Sequence, residues 1–345
     1  MMSNFKVNTI TNRDGSYGPQ ICGITTFGGS GLQLPSGPTE MRGGRGRGIF
    51  GSGATPSSTT VIDKIEIATS ADAVDFGDDI HAREEGNAAF SSATRGCFSG
   101  GLSSPATTSN ISYVTIPSGG GANDFGDLSS ARQSNAGASN NVRGLSFGGT
   151  PSPSGAATNT IQYVTIASTG DANEFGSLTE RVFNTGSGVS NGTRAFQMSG
   201  NSIEVGDDSR KIHVVTIATT GDAVKFGELI TARNAHAGCS NSTRGLVFCG
   251  QESPAGGNLN SIEYFELASE GNGVDFGDAS ASKDYLGAVA SSTRAIIGGG
   301  QTPSKQNVME TVAISTTGDT VDFGDLTNKR RFLQGISDVH GGLTQ

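Results

Sequence analysis

The sequence predicts an all-β fold, a ring of six four-stranded blades forming a β-propeller, with a separate extended arm in front of it. Three observations predict it. A unit of roughly fifty residues recurs six times between about Arg47 and the C-terminus. Every copy carries the same three anchors in the same order. The two ends of the repeat region are complementary pieces of a single unit. A fixed period of this length is the mark of propellers and solenoids, so the repeat overrides the two-domain expectation that 345 residues would otherwise raise.

The first anchor is an Arg followed by a short apolar run and glycine, as in Arg47-Gly-Ile-Phe-Gly-Ser-Gly, Arg95-Gly-Cys-Phe-Ser-Gly-Gly and Arg244-Gly-Leu-Val-Phe-Cys-Gly. The second is a β-rich strand such as Ile161-Gln-Tyr-Val-Thr-Ile. The third is Phe-Gly, at Phe76, Phe125, Phe175, Phe226, Phe276 and Phe323. Arg to the last Gly spans six residues in every copy, and the Ile (Met309 in the last copy) to the Phe spans fourteen. The interval between them varies from 9 to 12 residues. Rigid spacing marks packed strands and fixed turns, and variable spacing marks a surface loop.

The fourteen-residue segment reads as a hairpin. Gly120, Gly170, Gly221, Gly271 and Gly318 share its turn position, with Ala71 there in the first unit; glycine accepts a positive φ at such a turn without steric cost. Apolar residues on both parities of its first strand, Val164 and Ile166 against Ile161 and Tyr163, read as a strand covered on both faces. Before each Arg lies a further short strand rich in Gly and Ala, such as Ser134-Asn-Ala-Gly-Ala or Tyr285-Leu-Gly-Ala-Val. Six strands converging on one axis leave room only for small residues, so this is the innermost strand and the unit is a four-stranded blade. Gln334-Gly-Ile-Ser aligns with these inner strands, whereas Arg47 enters at a second strand. A strand at about 334–341 is therefore expected to pair with one at about 47–52 and close the ring, leaving no open sheet edge at the two ends. The domains are expected at 1–44 and 45–345.

An acid follows Phe-Gly and a base lies seven residues after the Phe: Asp78 with Arg83, Asp127 with Arg132, Glu228 with Arg233, Asp278 with Lys283, Asp325 with Arg330. In the third unit Ser177 replaces the acid and the nearest base, Arg181, is one position early. The pattern reads as a local ion pair between outer strand and loop, worth at most about 1 kcal/mol if solvent-exposed.

Function classes narrow next. Gly is 53 of 345 residues, about twice the usual share of roughly 7%, and Trp is absent. The net charge of −9 argues against a nucleic-acid partner. The one basic stretch, Arg42 to Arg47, reads as a Gly-rich hinge. The start of the chain has no apolar signal core, and no run of about 18 apolar residues exists to insert in a membrane. Cys22, Cys97, Cys239 and Cys249 form no CxxC pair and read as isolated core residues in a reducing compartment, although Cys239 and Cys249 could face each other across one hairpin. His81, His213, His236 and His340 fall at different repeat positions, with no H-x-x-x-H or H-E-x-x-H spacing. Catalytic residues, metal ligands and cofactors are therefore all expected to be none.

Binding fits better. The loops 52–61, 102–110, 150–160, 201–211, 251–261 and 301–308 vary in length and are rich in Ser, Thr, Asn and Pro. They are expected on one rim, opposite a rim of short constant turns. The candidate binding residues there are Asn110, Asn159, Asn201, Asp207, Arg210, Gln251, Asn258, Asn260 and Gln301, together with Arg83, Arg132, Arg233 and Arg330. Amides and hydroxyls both donate and accept, and Arg donates, which suits a hydroxyl-rich ligand such as a glycan. The other reading is that these loops vary because nothing constrains them.

The order of small inner strand, apolar strand ending in Gly-Gly and aromatic-bearing hairpin resembles kelch over about residues 45–342, with Phe where kelch usually has Trp. More narrowly, the pattern I-x-Y-V-T-I-A-S-T-G-D-A-x-x-F-G-D-L-T-x-A-R resembles kelch-like structural proteins of marine tailed phages, cyanophages in particular. The arm, with Val7-Asn-Thr-Ile-Thr-Asn-Arg, Gly23-Ile-Thr-Thr-Phe27 and Leu34-Pro-Ser-Gly-Pro38, resembles N-terminal attachment segments of such virion proteins. The resemblance implies a non-enzymatic virion protein, made in the host cytoplasm and carried on the tail, a tail fibre, the neck or the capsid. Its implied partners are other virion proteins through residues 1–44, a host-surface glycan or protein, and further copies of the same chain. An intracellular kelch-type interaction scaffold is the alternative. With few apolar residues, the arm is expected to order only against a partner or second subunit.

Overall fold

The computed structural model describes residues 46–343 except 86–87, 105, 152–154, 184–187, 203–209 and 255, together with four two-residue strands nearer the N-terminus. The chain divides into two compact units, Met1–Gly43 and Gly44–Gln345. In the first unit, Phe5–Lys6 pairs antiparallel with Thr9–Ile10, and Thr26–Phe27 with Gly31–Leu32.

The second unit is a six-bladed β-propeller of antiparallel four-stranded blades. Blade 2 shows the plan: inner strand Ala88–Ser91, second Arg95–Ser99, third Asn110–Thr115, outer Asn123–Asp127. Blade 1 takes its inner strand, Gln334–Ser337, from the other end of the chain. That strand pairs with Arg47–Gly51 in the register Gln334↔Gly51, Gly335↔Phe50, Ile336↔Ile49, Ser337↔Gly48. The hydrophobic core lies between blades rather than within one. Leu246 and Phe248 of blade 5, for example, share a buried cluster with Ala288 and Ile297 of blade 6.

Each anchor now has a physical reason. The recurrent Arg at the start of the second strand reaches the next blade, where its Nη1 donates to two successive carbonyls at the end of the third strand. Arg47 bonds Ile116 O (2.7 Å) and Pro117 O (2.8 Å), Arg95 bonds Ile166 O and Ala167 O, and Arg294 bonds Ile67 O and Ala68 O across the closure. Arg95, Arg143 and Arg244 also lie over Tyr113, Tyr163 and Tyr264 of their own blades, at 4.5 to 4.7 Å from the ring centroids.

The Phe of each Phe-Gly is buried. Its glycine is where the next blade's hairpin turn touches the backbone. A Cβ on Gly126 would stand 2.5 Å from Gly170 O, and one on Gly227 would stand 2.0 Å from Gly271 O. The turn glycines Gly120, Gly170, Gly221, Gly271 and Gly318 meet nothing within 4 Å, and Gly120 (φ 104°), Gly170 (φ 150°) and Gly318 (φ 153°) have the expected positive φ, whereas Gly221 and Gly271 do not. Conformational freedom therefore accounts for three of the five turn glycines.

The inner strands end in a hydroxyl-to-carbonyl chain that runs round the axis and is open at blade 6. Ser91 Oγ donates to Ser337 O (2.8 Å), Ser139 to Ser91 O (2.7 Å), Ser190 to Ser139 O (2.7 Å), Ser240 to Ser190 O (2.8 Å) and Ser337 to Ala290 O (2.6 Å). Blade 6 has Ala290 at this position and supplies no hydroxyl. One end of the axis is covered by the tail. His340 Nε2 lies 3.3 Å from Ser139 Oγ and 3.2 Å from Ser91 O, and Gly341, Gly342 and Leu343 are buried beyond it.

The expected pairing of each base with the acid after Phe-Gly is not what the structure shows. Arg83, Arg233 and Arg330 are fully buried, and Arg132 nearly so. They cross to the next blade instead of pairing with the acid after Phe-Gly. Arg83 Nη1 donates to Phe98 O (2.9 Å), Gly100 O (3.2 Å) and Asn110 O (3.0 Å). Arg330 donates to Ser52 O (3.2 Å) and Val61 O (2.6 Å) and pairs with Asp63 Oδ2 at 2.6 Å. Arg233 and Lys283 pair with Glu263 and Glu310. For Arg233, Lys283 and Arg330 the counter-ion thus sits on the third strand of the neighbouring blade, at the residue after its Ile (Met309 in blade 6), whereas Arg83 pairs at 3.5 Å with Asp79 of its own outer strand, the residue after the expected Asp78. At the joint between blades 3 and 4 Val182 replaces the base, and the facing residue is His213, held by Gln197 Oε1 at 2.8 Å and Thr179 Oγ1 at 2.6 Å. Base and facing acid are thus both replaced at this one joint, where Glu180 of the outer strand lies 4.0 Å from His213 Nε2.

Candidate functional site

The propeller has two unlike faces. On one lie the turns between inner and second strands and the hairpin turns between third and outer strands, where the repeating Arg-to-carbonyl bonds and Asx-type turns use up the polar groups. Asn191 Oδ1, for instance, accepts Thr193 N (3.1 Å) and Arg194 N (2.8 Å), and Asn241 and Asn140 repeat the arrangement. On the other face lie the variable loops between second and third strands and the connectors from each outer strand to the next inner strand.

The structure removes Arg83, Arg132, Arg233 and Arg330 from the ligand-facing set: they begin at the variable face but are spent inside the blade joints. Arg132 has no carboxylate partner. It donates to Gly148 O (3.2 Å) and Ser130 Oγ (3.0 Å), and burial pulls its pKa down to about 10. Asn110 and Asn159 brace their own blades through Asp127 Oδ1 (3.0 Å) and Leu178 O (3.3 Å). Asn201 Oδ1 accepts from Asn234 Nδ2 (3.0 Å) and Ser253 Oγ (3.1 Å), tying blade 4 to blade 5. Arg210 lies 3.7 Å from Glu228. Gln251 pairs with Asn234 and Asn258 through the main chain, and Asn260 O accepts Ala279 N at 2.8 Å. Asp207 lies outside the described residues.

Asn258 and Gln301 meet: Asn258 Nδ2 donates to Gln301 O at 3.3 Å, and Gln301 Oε1 accepts from Arg331 Nη1 at 2.8 Å. That bond leads to residues the sequence reading missed. The two residues after the buried base of each connector ring the axis on this face: Glu84 and Glu85, Gln133 and Ser134, Asn234 and Ala235, Asp284 and Tyr285, Arg331 and Phe332. Their backbone repeats. The first of each pair bridges the facing variable loop, and the second has a positive φ between 53° and 62°. Their side chains differ at every blade.

A search against protein-family models and one against curated proteins return no match for this chain.

The axis itself offers little room. A cavity of roughly 50 Å³ is lined by the inner strands, with Ala89, Ser139, Val189, Cys239 and Ala288 among its walls and His340 at the tail. Desolvation lowers the pKa of His340 to about 4 and that of His236 to about 3, so both imidazoles are neutral. Cys97, Cys239 and Cys249 are free and buried; burial raises all three thiols, Cys249 to about 12. Among the described residues no group of three or more His, Cys, Asp or Glu is placed to hold a metal ion. No described helix is long and apolar enough to cross a membrane.

Proposed function

We propose that this chain is a non-enzymatic phage virion protein of kelch-like architecture. Residues 1–44 attach it to other virion proteins and to further copies of itself, and the propeller is displayed on the tail, neck or capsid to contact the host surface. One observation carries the reading: the two faces are built to different rules. On one, side chains and main chain are consumed in the same inter-blade bonds blade after blade. On the other, a repeating backbone presents a different side chain at each position, as a recognition surface does on a rigid scaffold. The polar, amide-rich character of that surface favours a glycan. Antibody raised against the propeller, applied to purified particles under the electron microscope, should decorate a fixed location. Absence of the protein from the particles would end the proposal.

A further inference from the structure

We infer that the inner rim of the variable face, where blades 5, 6 and 1 meet, is a subsite for a neutral pyranose ring, with Tyr285 and Phe332 as its aromatic wall and Asp284 and Arg331 as its polar contacts. This rests on the reading of that face as the recognition surface and names the chemistry it would take.

The aromatic residues are placed against local preference. Tyr285 has φ 54° and Phe332 has φ 62°, at the same position in successive connectors. A positive φ is unfavourable for a bulky side chain, and although five connectors share this backbone, only these two place a ring on it. Ala235 and Ser134 occupy this position elsewhere with no ring at all. The two rings lie 4.1 Å apart at 51°, and the Arg331 guanidinium covers Phe332 at 4.6 Å. Phe332 is thereby clamped, and Tyr285, half-buried, is the outer member of the stack.

The polar groups are left incomplete. Asp284 is only 8% exposed, and its Oδ1 has no hydrogen-bond partner. Arg331 Nε is likewise unpartnered, although its Nη1 holds Gln301. Burial raises the Asp284 carboxyl above the ordinary range, outweighing the main-chain hydrogen bond, the nearby Arg331 charge and Asn258, which act the other way. One unmet acceptor and one unmet donor on adjacent connectors suit the hydroxyls of a sugar, each of which donates and accepts. The C–H face of a pyranose is apolar and packs on an aromatic ring. Opposite charges on Asp284 and Arg331 cancel, which favours a neutral sugar over a sugar acid.

The test uses the full chain and saturation-transfer NMR with methyl glycosides of glucose, galactose, mannose and N-acetylglucosamine, with glucuronate beside them. At least one neutral glycoside should receive saturation at its ring C–H protons. Tyr285→Gly should abolish it, and Asp284→Asn should weaken binding at least tenfold. Glycine accepts the positive φ, so Tyr285→Gly keeps the connector and unfolding does not explain its loss. No transfer to any neutral glycoside, binding of glucuronate alone, or undiminished binding by Tyr285→Gly would each overturn the subsite. None of these outcomes bears on whether the protein is on the particle, which particle imaging decides separately.

Discussion

The joint between blades 2 and 3 holds a buried guanidinium without a carboxylate, and supplying one should stabilise the protein. Glu263 accepts Ile230 N (2.7 Å) and Thr231 N (3.2 Å) while pairing with Arg233, and Glu310 accepts Ser280 N (3.0 Å) and Ser280 Oγ (2.9 Å) while pairing with Lys283. Gln162 occupies the same position facing Arg132, and its Oε1 accepts Ser129 N at 3.2 Å. Gln162→Glu therefore adds a charge to a cradle that two other blades already use. Burial takes Arg132 from 12.5 to about 10. At about 1.4 kcal/mol per pH unit this is a penalty on the order of 3 kcal/mol against the charged form. A carboxylate recovers part of it and brings its own desolvation cost. The net expectation is about 1 kcal/mol, a rise of about 2 °C in the calorimetric Tm for a chain of this size. The same substitution in an Arg132→Met background should instead destabilise, because the carboxylate is then buried alone. A lower Tm for Gln162→Glu, or an equal gain without Arg132, would refute the reasoning.

At the closure joint, Asp63→Asn leaves the fully buried Arg330 without its counter-ion and should cost about 3 kcal/mol, read as a lower urea midpoint by circular dichroism. Gly227→Ala places a methyl 2.0 Å from Gly271 O and should cost about 1–3 kcal/mol, as overpacking does. Gly221→Ala meets nothing within 4 Å and should stay within about 0.5 kcal/mol of the parent; equal effects of the two would contradict the inter-blade contact. His236 and His340 have folded pKa values of about 3 and about 4, against 6.5 when exposed. Above 6.5 neither form binds the proton. As pH falls below that, the unfolded chain takes up protons the fold refuses, and stability drops toward a limiting slope of about 1.4 kcal/mol per pH unit for each group. His236→Leu should roughly halve that slope between pH 6 and 5, above most carboxylate titration.

The ring was readable from the sequence because its determinants are periodic. The fixed intervals from Arg47 to Gly53 and from Ile62 to Phe76, and in their later copies, are set by strand length and turn geometry, which are local. The inner strands were readable from size alone, since Ala136-Gly-Ala-Ser139 and its copies share a crowded axis. What joins one blade to the next was not readable. Asp63 and Arg330 are 267 positions apart, while Asp325 lies five residues from Arg330, so spacing suggested the wrong partner. The glycine of Phe-Gly looked like part of a motif, and its cause is a hairpin turn in the next blade. Tyr285 and Phe332 were hidden because they differ from their counterparts in every other blade, and a search for repetition passes over what does not repeat. A signal was present: the two positions after the recurrent base differ from unit to unit, whereas the anchors around them repeat.

The strand that opens the propeller, Arg47–Gly51, is flanked on one side by Gln334–Ser337 and on the other by Thr59–Glu66. Traction on the chain ahead of Gly46 therefore runs along a strand gripped from both edges. Both rows of hydrogen bonds must slide together under such a load, whereas a strand at an open edge would peel away one bond at a time. Under the proposed attachment through residues 1–44, load would enter at a seam that resists tearing, where the Asp338 carboxylate accepts Gly46 N (3.0 Å) and Arg47 N (2.8 Å).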